Sequence, residues 1–434
     1  MIPLKHGVAA LLITAVAAPV VAQQGTAMPL VTLTEARRMA ASVDPDAVAA
    51  RARVASTSWE QRAATIDLFL PQLTANANYL SLSDPFFNFG TGNVSSTATS
   101  ATLEASYTFL GTGKFSELKR SRAAVASAEA NETAIRFRTD LATDAAYYSV
   151  LAETELSRVA ADRLQRATEQ LGIARVRVQA GETIATDSLQ LLLEVNRAQM
   201  EVLRRDSALT VGRLRLGRLI GHPGPATAAP LDSAVPPPLP IDLESAVAEL
   251  RTRGPEIELA RAQERSAAAV LLQRRERFLP DITLSGVTGA YDSEFFPSAL
   301  HRSQFQVALS WPLWNGGRRE VDVAVARAER DIARAELADL ELATAEVMAR
   351  AWNGYATARA AVELAQVGVA VSTETFRVQG ARYREGASTI LDLLEAQVSL
   401  GEAEAALVQA RHGARLALAE IEALLGRRIF EAPN

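Results

Sequence analysis

Two carboxylates are the most suggestive chemical groups in this sequence. Asp392 and Glu395 lie three residues apart in a segment of helical character, so they share one face of the helix. Repeated around a symmetry axis, such a pair would form acidic rings, which favour cations and raise the local field. The alternative interpretation is an ordinary solvated helix face.

No constellation for catalysis is visible. No P-loop, nucleophile elbow or zinc motif occurs. The chain has no cysteine, which excludes disulfides, thiolate metal sites and a lipid anchor on an N-terminal cysteine. We therefore expect no catalytic residue, no cofactor, no metal site and no enzymatic activity. The histidines are scattered without ligand spacing: His6, His222, His301 and His412.

Charge and hydropathy narrow the class of protein. Lys plus Arg number 45 against 50 Asp plus Glu, a mixed balance that does not favour nucleic-acid binding. Residues 1–22 resemble a secretory signal, because Lys5 precedes a short apolar run and Val20-Val21-Ala22 suits cleavage before Gln23. No later run is apolar enough for a spanning helix, so membrane insertion of the mature chain would require β-strands.

The chain contains an internal repeat at a spacing of about 205–210 residues. Phe69-Leu-Pro71 matches Phe278-Leu-Pro280, and the Gly turn at Gly181 matches that at Gly386. We expect a first repeat over 23–221, a Pro-rich linker over 222–240, a second repeat over 241–428 and a tail over 429–434.

Each repeat has the same predicted order of elements, namely two helices, two strands and two helices. The predicted helices span 34–43, 46–70, 113–180, 186–220, 242–252, 256–279, 317–385 and 389–425; the predicted strands span 72–82, 99–110, 281–291 and 303–314. The long third helix would extend about 100 Å, which a compact globule cannot hold. Seven-residue periodicity in the helices that follow the Gly turns predicts left-handed coiled-coil packing.

The strands alternate apolar and polar residues and are about ten residues long, as a tilted membrane strand requires. Aromatic residues near their ends suit an interfacial girdle, or alternatively an ordinary core: Tyr107, Phe109, Trp311 and Trp314. Phenylalanines in the other loops (Phe86, Phe87 and Phe89; Phe295 and Phe296) suit either a constricted mouth or rim packing. Four strands cannot close a barrel with a lumen, so strands of several chains must combine.

The duplicated plan resembles the TolC family of outer-membrane efflux proteins. The most specific segment is Tyr383-Arg-Glu-Gly-Ala-Ser-Thr-Ile-Leu-Asp392-Leu-Leu-Glu395-Ala-Gln397, and its weaker partner runs from Val178 to Leu189. The resemblance implies an α+β membrane protein: a homotrimer whose twelve-stranded outer-membrane β-barrel, four strands per chain, continues into a long periplasmic α-helical barrel. It also implies an outer-membrane channel subunit of a tripartite efflux or type I secretion system.

The implied partners are outer-membrane lipid, a periplasmic adaptor (membrane fusion) protein and an inner-membrane pump of the RND, ABC or MFS class. The channel would conduct passively, from periplasm to exterior. The turns at Gly181 and Gly386 would contact the adaptor, with a plain helix cap as the alternative. Asp392 and Glu395 would form the acidic ring of the periplasmic entrance.

By the same resemblance, Asp187 and Tyr383 would form a gate that holds the periplasmic tip closed. Ser388 stands where the family usually has a basic residue. That exchange either weakens the clamp or moves its basic partner to Arg382 or Arg384.

Two other classes of function compete. A periplasmic coiled-coil scaffold or adaptor without a pore would account for the long helices, but not for the duplicated strand pairs. An outer-membrane enzyme would need a catalytic constellation. Within the channel interpretation, drug efflux and protein secretion both stay open, and the sequence does not identify the substrate.

Overall fold

A computed structural model describes residues 28–110, 113–232, 235–294 and 299–430. The predicted signal segment, Phe295, Phe296 and residues 431–434 lie outside the described residues. None of the described helices combines the length and apolar character needed to cross a membrane.

The elements follow the duplicated order, with two very short strands added, one near the start of the first repeat and one in the segment that joins the repeats. The helices are α1 Leu33–Val43, α2 Pro45–Phe69, α3 Lys114–Gln179, α4 Ala185–Leu219, α5 Leu243–Arg253, α6 Pro255–Glu276, α7 Arg318–Arg384 and α8 Ile390–Leu425. The strands are β1 Leu30–Val31, β2 Gln72–Asn88, β3 Asn93–Leu110, β4 Thr227–Ala228, β5 Asp281–Asp292 and β6 Leu300–Ser310.

Local sequence explains where the helices begin and end. Asp44 caps α2 by accepting from the amide of Ala47 at 3.0 Å, and Pro45 occupies the first turn, where its missing N–H costs nothing. Pro71 and Pro280 follow the ends of α2 and α6, because proline disfavours helix at the residue before it. Each of the eight helices begins and ends within three residues of its predicted bounds.

β2, β3, β5 and β6 form one antiparallel sheet in that order. The register places Leu73 opposite Ala105, and Leu284 opposite both Tyr107 and Val307, so the apolar positions share one face. The other face carries polar or small residues: Gln72, Thr74, Asn76, Glu104, Ser106, Ser285, Gln304 and Gln306. The two faces therefore suit two different environments.

The predicted strand bounds were wrong in two places. The loop expected between 82 and 99 is mostly strand, because Phe87 pairs with Val94 and Asn88 with Asn93 in a hairpin that turns at Gly92 with φ +78°. The serines and threonines of this hairpin hide the alternation. The last strand ends at Ser310 rather than 314, since Pro312 has no N–H to give to a ladder.

The helices form a wall rather than a globule. Near the sheet, α3 packs between α2 and α6, and α6 packs on α7; beyond that, α3 packs on α4 and α8, and α8 on α7. With 66 residues, α3 is about 100 Å long. Buried residues collect in three separate clusters along the wall instead of one core.

A lateral layer surrounds the middle of the wall. α1 packs on α3, and α5 packs on α7. The segment that joins the repeats is anchored here: Thr227–Ala228 pairs with Leu30–Val31, and the hydroxyl of Tyr355 donates to the carbonyl of Pro237 at 2.6 Å. Under α1, Arg37 donates to both oxygens of the buried Asp144, at 2.6 and 2.7 Å.

Candidate functional site at the paired helix turns

Two short turns reverse the chain at the end of the wall farthest from the sheet. The turn between α3 and α4 contains Gly181 at φ +76°, and the turn between α7 and α8 contains Gly386 at φ +72°. Both are in the left-handed region, which costs glycine little. A Cβ at either position would meet no atom within 4 Å. The left-handed backbone conformation, and not a lack of space for a side chain, therefore explains why both positions are glycine.

The structure brings Asp187 and Tyr383 together across these turns. The hydroxyl of Tyr383 donates to Asp187 Oδ2 at 3.3 Å, and Thr183 donates to the same oxygen. Tyr383 is 3% exposed and Asp187 9%. Burial, and then the Asp187 carboxylate, raise the pKa of Tyr383, so its hydroxyl stays protonated and remains a donor.

The basic partner of this pair is a residue that the sequence did not suggest. Arg177, in the last turn of α3, donates to the carbonyl of Tyr383 at 2.8 Å, and its guanidinium lies 5.2 Å from the centre of the Tyr383 ring. Of the two alternatives that Ser388 left open, a weaker clamp or a basic partner at Arg382 or Arg384, this chain does not show the second. Arg382 donates to the carbonyl of Ala387 in the turn, and Arg384 donates to the carbonyl of Gly380 in α7. Only tertiary packing brings α3 to this position.

A cavity of about 460 Å³ lies between the two turns. Arg177, Asp187 and Tyr383 line it, together with Ser388 and Gln190. Ser388 Oγ and Gln190 Oε1 are buried and have no hydrogen-bond partner among the described residues. The turns are therefore joined by these polar contacts next to a buried apolar cluster that includes Leu191, Tyr383 and Ile390.

Asp392 has a local role that the acidic-pair hypothesis missed. Its Oδ2 accepts from the amide of Thr389 at 2.9 Å and from the Thr389 hydroxyl at 2.8 Å, while the Asp392 amide donates back to that hydroxyl. This is a capping box, and the Thr-x-x-Asp spacing was its signal in the sequence. The bond from the Thr389 amide is the largest cause that lowers the pKa of Asp392. Its carboxylate thus stays ionised in mildly acidic solution.

The equivalent turn in the first repeat lacks that capping residue. Ile184 occupies the N-cap of α4 with φ −87° and ψ 149°, close to the φ −85° and ψ 162° of Thr389 at the N-cap of α8. Isoleucine has no side-chain acceptor, so Asp187 closes no capping box and is free to bond Thr183 and Tyr383. One residue difference between the repeats thus assigns the two aspartates different contacts.

Asp392 and Glu395 are both exposed to solvent on α8. Only one chain is described, so the acidic ring stays a prediction. Of the predicted girdle, Phe109 and Trp311 are 63% and 59% exposed and Trp314 is 75% exposed, whereas Tyr107 is partly buried and donates to the carbonyl of Leu68 at 2.8 Å. These aromatics lie where the sheet meets the helices.

Comparison with known proteins gives the family. The family model described as outer membrane efflux protein matches residues 36–222 and 246–427, which together are most of the chain and correspond to the two repeats. This chain belongs to that family. The TolC-like resemblance inferred from the sequence is therefore confirmed.

The relatives of this efflux family member are distant. It is 29% identical to the pyoverdine export outer membrane protein OpmQ of Pseudomonas aeruginosa over 298 residues, 64% of this chain and 58% of that protein. It is 27% identical to outer membrane protein OprJ of the same organism over 279 residues, 62% of this chain and 58% of that protein. The chain thus spans little more than half the length of the curated relatives it matches.

Solved structures show the same fold. The Campylobacter jejuni CmeC outer membrane channel superimposes with a TM-score of 0.78 at 16% identity, covering 92% of this chain and 87% of that one. The expected fold class, a helical protein with a sheet and an internal duplication of the TolC type, is confirmed.

Proposed function

We propose that this chain is the subunit of an outer-membrane channel that passively conducts the substrates of an efflux or type I secretion system to the exterior. The observation that carries the proposal is a sheet with one apolar, solvent-exposed face. In β6, Phe305, Val307 and Leu309 are 74%, 60% and 67% exposed, and they alternate with polar residues of the opposite face. Lipid outside and water inside would satisfy both faces.

The free edges of the chain support assembly with further copies. In the described part of the chain, β2 and β6 each pair with one neighbour only. α4 and α7 also expose apolar side chains on the outer edges of the wall, among them Leu189, Leu193, Met200, Leu203, Leu364, Val367 and Val371. One edge of the chain thus carries β2, α2 and α4, and the other carries β6 and α7.

Two different edges on one chain favour a cyclic arrangement of copies. A free sheet edge is not tolerated in lipid, so the strands of neighbouring copies would have to pair. Three copies would give the twelve-stranded barrel that the family resemblance implies. The exposed helical edges would then be buried in the walls of a periplasmic tunnel.

The partners follow from the same proposal. The chain would lie in the outer membrane with a long periplasmic extension. Its turns at Gly181 and Gly386 would contact a periplasmic adaptor, and an inner-membrane pump would supply the energy. The competing function, a periplasmic coiled-coil scaffold or adaptor without a pore, would leave the exposed apolar face of the sheet in water, where a patch of that size favours aggregation.

The test is the expression of the chain with its signal segment, followed by envelope fractionation, native mass measurement and ion conductance in planar bilayers. We expect recovery from the outer membrane, a mass near three chains and discrete conductance steps. A soluble periplasmic monomer or dimer without conductance would contradict the channel.

A further inference from the structure

In the described part of the chain, four basic side chains near the junction of sheet and helices lack an ion-pair partner. Lys119 and Arg122 lie near the start of α3, Arg275 near the end of α6 and Arg318 at the start of α7. All four are exposed. Among the described residues, none of them has a carboxylate within 4.0 Å, whereas nearby Arg120 and Arg277 are paired with Glu117 and Asp322. We call these four residues the basic collar.

Each part of the collar lies close in sequence to an exposed aromatic residue. Phe115 is four residues before Lys119 on α3, and Arg122 continues that helix face. Phe278 follows Arg275 by three residues, and Trp314 precedes Arg318 by four. Phe115, Phe278 and Trp314 are 60%, 38% and 75% exposed. Alternating aromatic and basic residues are characteristic of the boundary between a membrane and water.

Arg319, the residue after Arg318, joins the start of α7 to the end of α6. Arg319 is only 7% exposed, donates to the carbonyls of Arg277 and Leu313, and lies 4.7 Å from the Phe278 ring. Trp311, which continues the apolar row of β6, donates to the carbonyl of Phe278 at 3.2 Å. The start of α7 and the end of α6 are thus joined on the side of the apolar face of the sheet.

Arg319 also adds a positive charge that forms no ion pair among the described residues. Its Nε has no hydrogen-bond partner, and no carboxylate lies within ion-pair distance among the described residues. Asp322 is already shared by Arg274 and Arg277, at 3.8 and 3.1 Å. Glu276 and Glu320 have no ion pair among the described residues. Even with these two counted, basic residues outnumber acidic residues at the starts of α3 and α7 and at the end of α6.

We propose that the basic collar binds the headgroups of anionic glycerophospholipids in the leaflet that faces the helical wall. This inference rests on the proposed function, because it requires the apolar face of the sheet to lie in lipid. Phosphodiester oxygens accept hydrogen bonds from guanidinium and ammonium groups, and the aromatic side chains pack at headgroup level. A lipid of the opposite leaflet would lie a full strand length away, at the hairpin end of the sheet.

The experiment compares lipid binding by the detergent-solubilised oligomer in native mass spectrometry. The wild type is titrated with phosphatidylglycerol and, separately, with zwitterionic phosphatidylcholine. We expect the double variant Arg275→Ser/Arg318→Ser to bind phosphatidylglycerol about tenfold more weakly or worse, and phosphatidylcholine unchanged. Arg275→Lys/Arg318→Lys should restore most of the binding.

The matched control is Arg197→Ser/Arg215→Ser on α4. Both arginines are exposed and lack a carboxylate partner among the described residues, but they lie on the helix that follows the far turn. This control should bind both lipids like the wild type. Equal loss of phosphatidylglycerol binding in both serine pairs would overturn the collar as a specific site.

Three other outcomes are decisive. Dissociation of the collar variant into single chains with undiminished lipid binding would show that the collar pairs with acidic groups of a neighbouring copy. A wild-type oligomer that conducts ions but does not discriminate the two lipids would overturn the lipid inference alone. Failure of the wild type to form any channel would overturn the proposed function, and with it the inference.

Discussion

The hydroxyl of Tyr383, near the end of α7, donates to a carboxylate oxygen of Asp187 in the first turn of α4 at 3.3 Å. The two residues come from different repeats and are both buried. This bond joins the α3–α4 pair to the α7–α8 pair at their turns. Any motion that separates the pairs must break it, which makes it a suitable gate for a tunnel entrance.

Tyr383→Phe should raise the conductance of the channel. The change removes the donor to Asp187 and keeps the ring against Arg177. A hydrogen bond to a charged group contributes about 1.5–3 kcal/mol, enough to shift a balanced equilibrium between closed and open tips. The measurement is single-channel conductance in planar bilayers.

Tyr355→Phe is the matched control for that prediction. It also removes a buried tyrosine hydroxyl from α7, one that donates to the carbonyl of Pro237 at 2.6 Å, but it lies in the middle of the wall. It should lower stability without raising conductance. Unchanged conductance in Tyr383→Phe would contradict a gating role for the bond between Tyr383 and Asp187.

The acidic pair on α8 should govern ion selectivity. Asp392→Asn/Glu395→Gln should lower the cation-to-anion permeability ratio, measured as a reversal potential across a salt gradient, because ring carboxylates favour cations. Asparagine keeps an oxygen that can accept from the Thr389 amide, so α8 should still begin there. Glu363→Gln, an exposed position on α7, serves as the control.

The pH dependence of that selectivity follows from the capping box. Bonds from Thr389 hold the pKa of Asp392 below its ordinary value of 3.8, so the carboxylate is charged above that pH. Selectivity due to Asp392 should persist down to about pH 4 and disappear only as the pH falls through its lowered pKa. If Asp392→Asn/Glu395→Gln kept wild-type selectivity, the two acidic residues would be an ordinary solvated helix face and not a selectivity ring.

The repeat made the helices of this fold predictable, whereas the contacts between them were not. Pro71 and Pro280 end helices through backbone chemistry that is visible in the sequence. The contact of Arg177 with Tyr383 depends on how α3 packs beside α7, and no local pattern encodes that. The capping box was different, because Thr389 and Asp392 have the diagnostic spacing in the sequence.

Asp144→Asn should destabilise the middle of the wall. The Asp144 carboxylate is fully buried between Arg37 and Arg428, so its neutralisation leaves two partly buried cations without full compensation. The expected cost is about 3–5 kcal/mol of unfolding free energy, measured by urea denaturation. The paired variant Arg37→Met/Asp144→Leu should cost less than Asp144→Asn alone, because it removes both charges; an equal or larger cost would contradict this ion-pair explanation.

His412 should make stability depend on pH. Burial on α8 lowers its pKa below the ordinary value of 6.5, against the opposing effect of Glu155, whose oxygen lies 3.2 Å from Nε2. The unfolded chain therefore binds the proton more readily, so this contribution to stability is complete above pH 6.5 and is lost as the pH falls. The stability difference between wild type and His412→Gln should narrow from pH 7.5 to 5.5 in thermal unfolding. A constant difference would contradict it.

Ile184→Thr should weaken the gate without removing either of its residues. The backbone of Ile184 already has the N-cap conformation that Thr389 has in the second repeat, so threonine could accept from the Asp187 amide. Asp187 would then be drawn back to close a capping box, as Asp392 does, and away from Tyr383. We expect α4 to be stabilised by about 1 kcal/mol, and the conductance to rise as it does in Tyr383→Phe. Ile184→Val, which keeps the branched shape without an acceptor, should leave both unchanged. The threonine variant keeps the Tyr383 hydroxyl. A rise in its conductance would therefore show that gating depends on the bond between Asp187 and Tyr383 and not on the loss of a side chain.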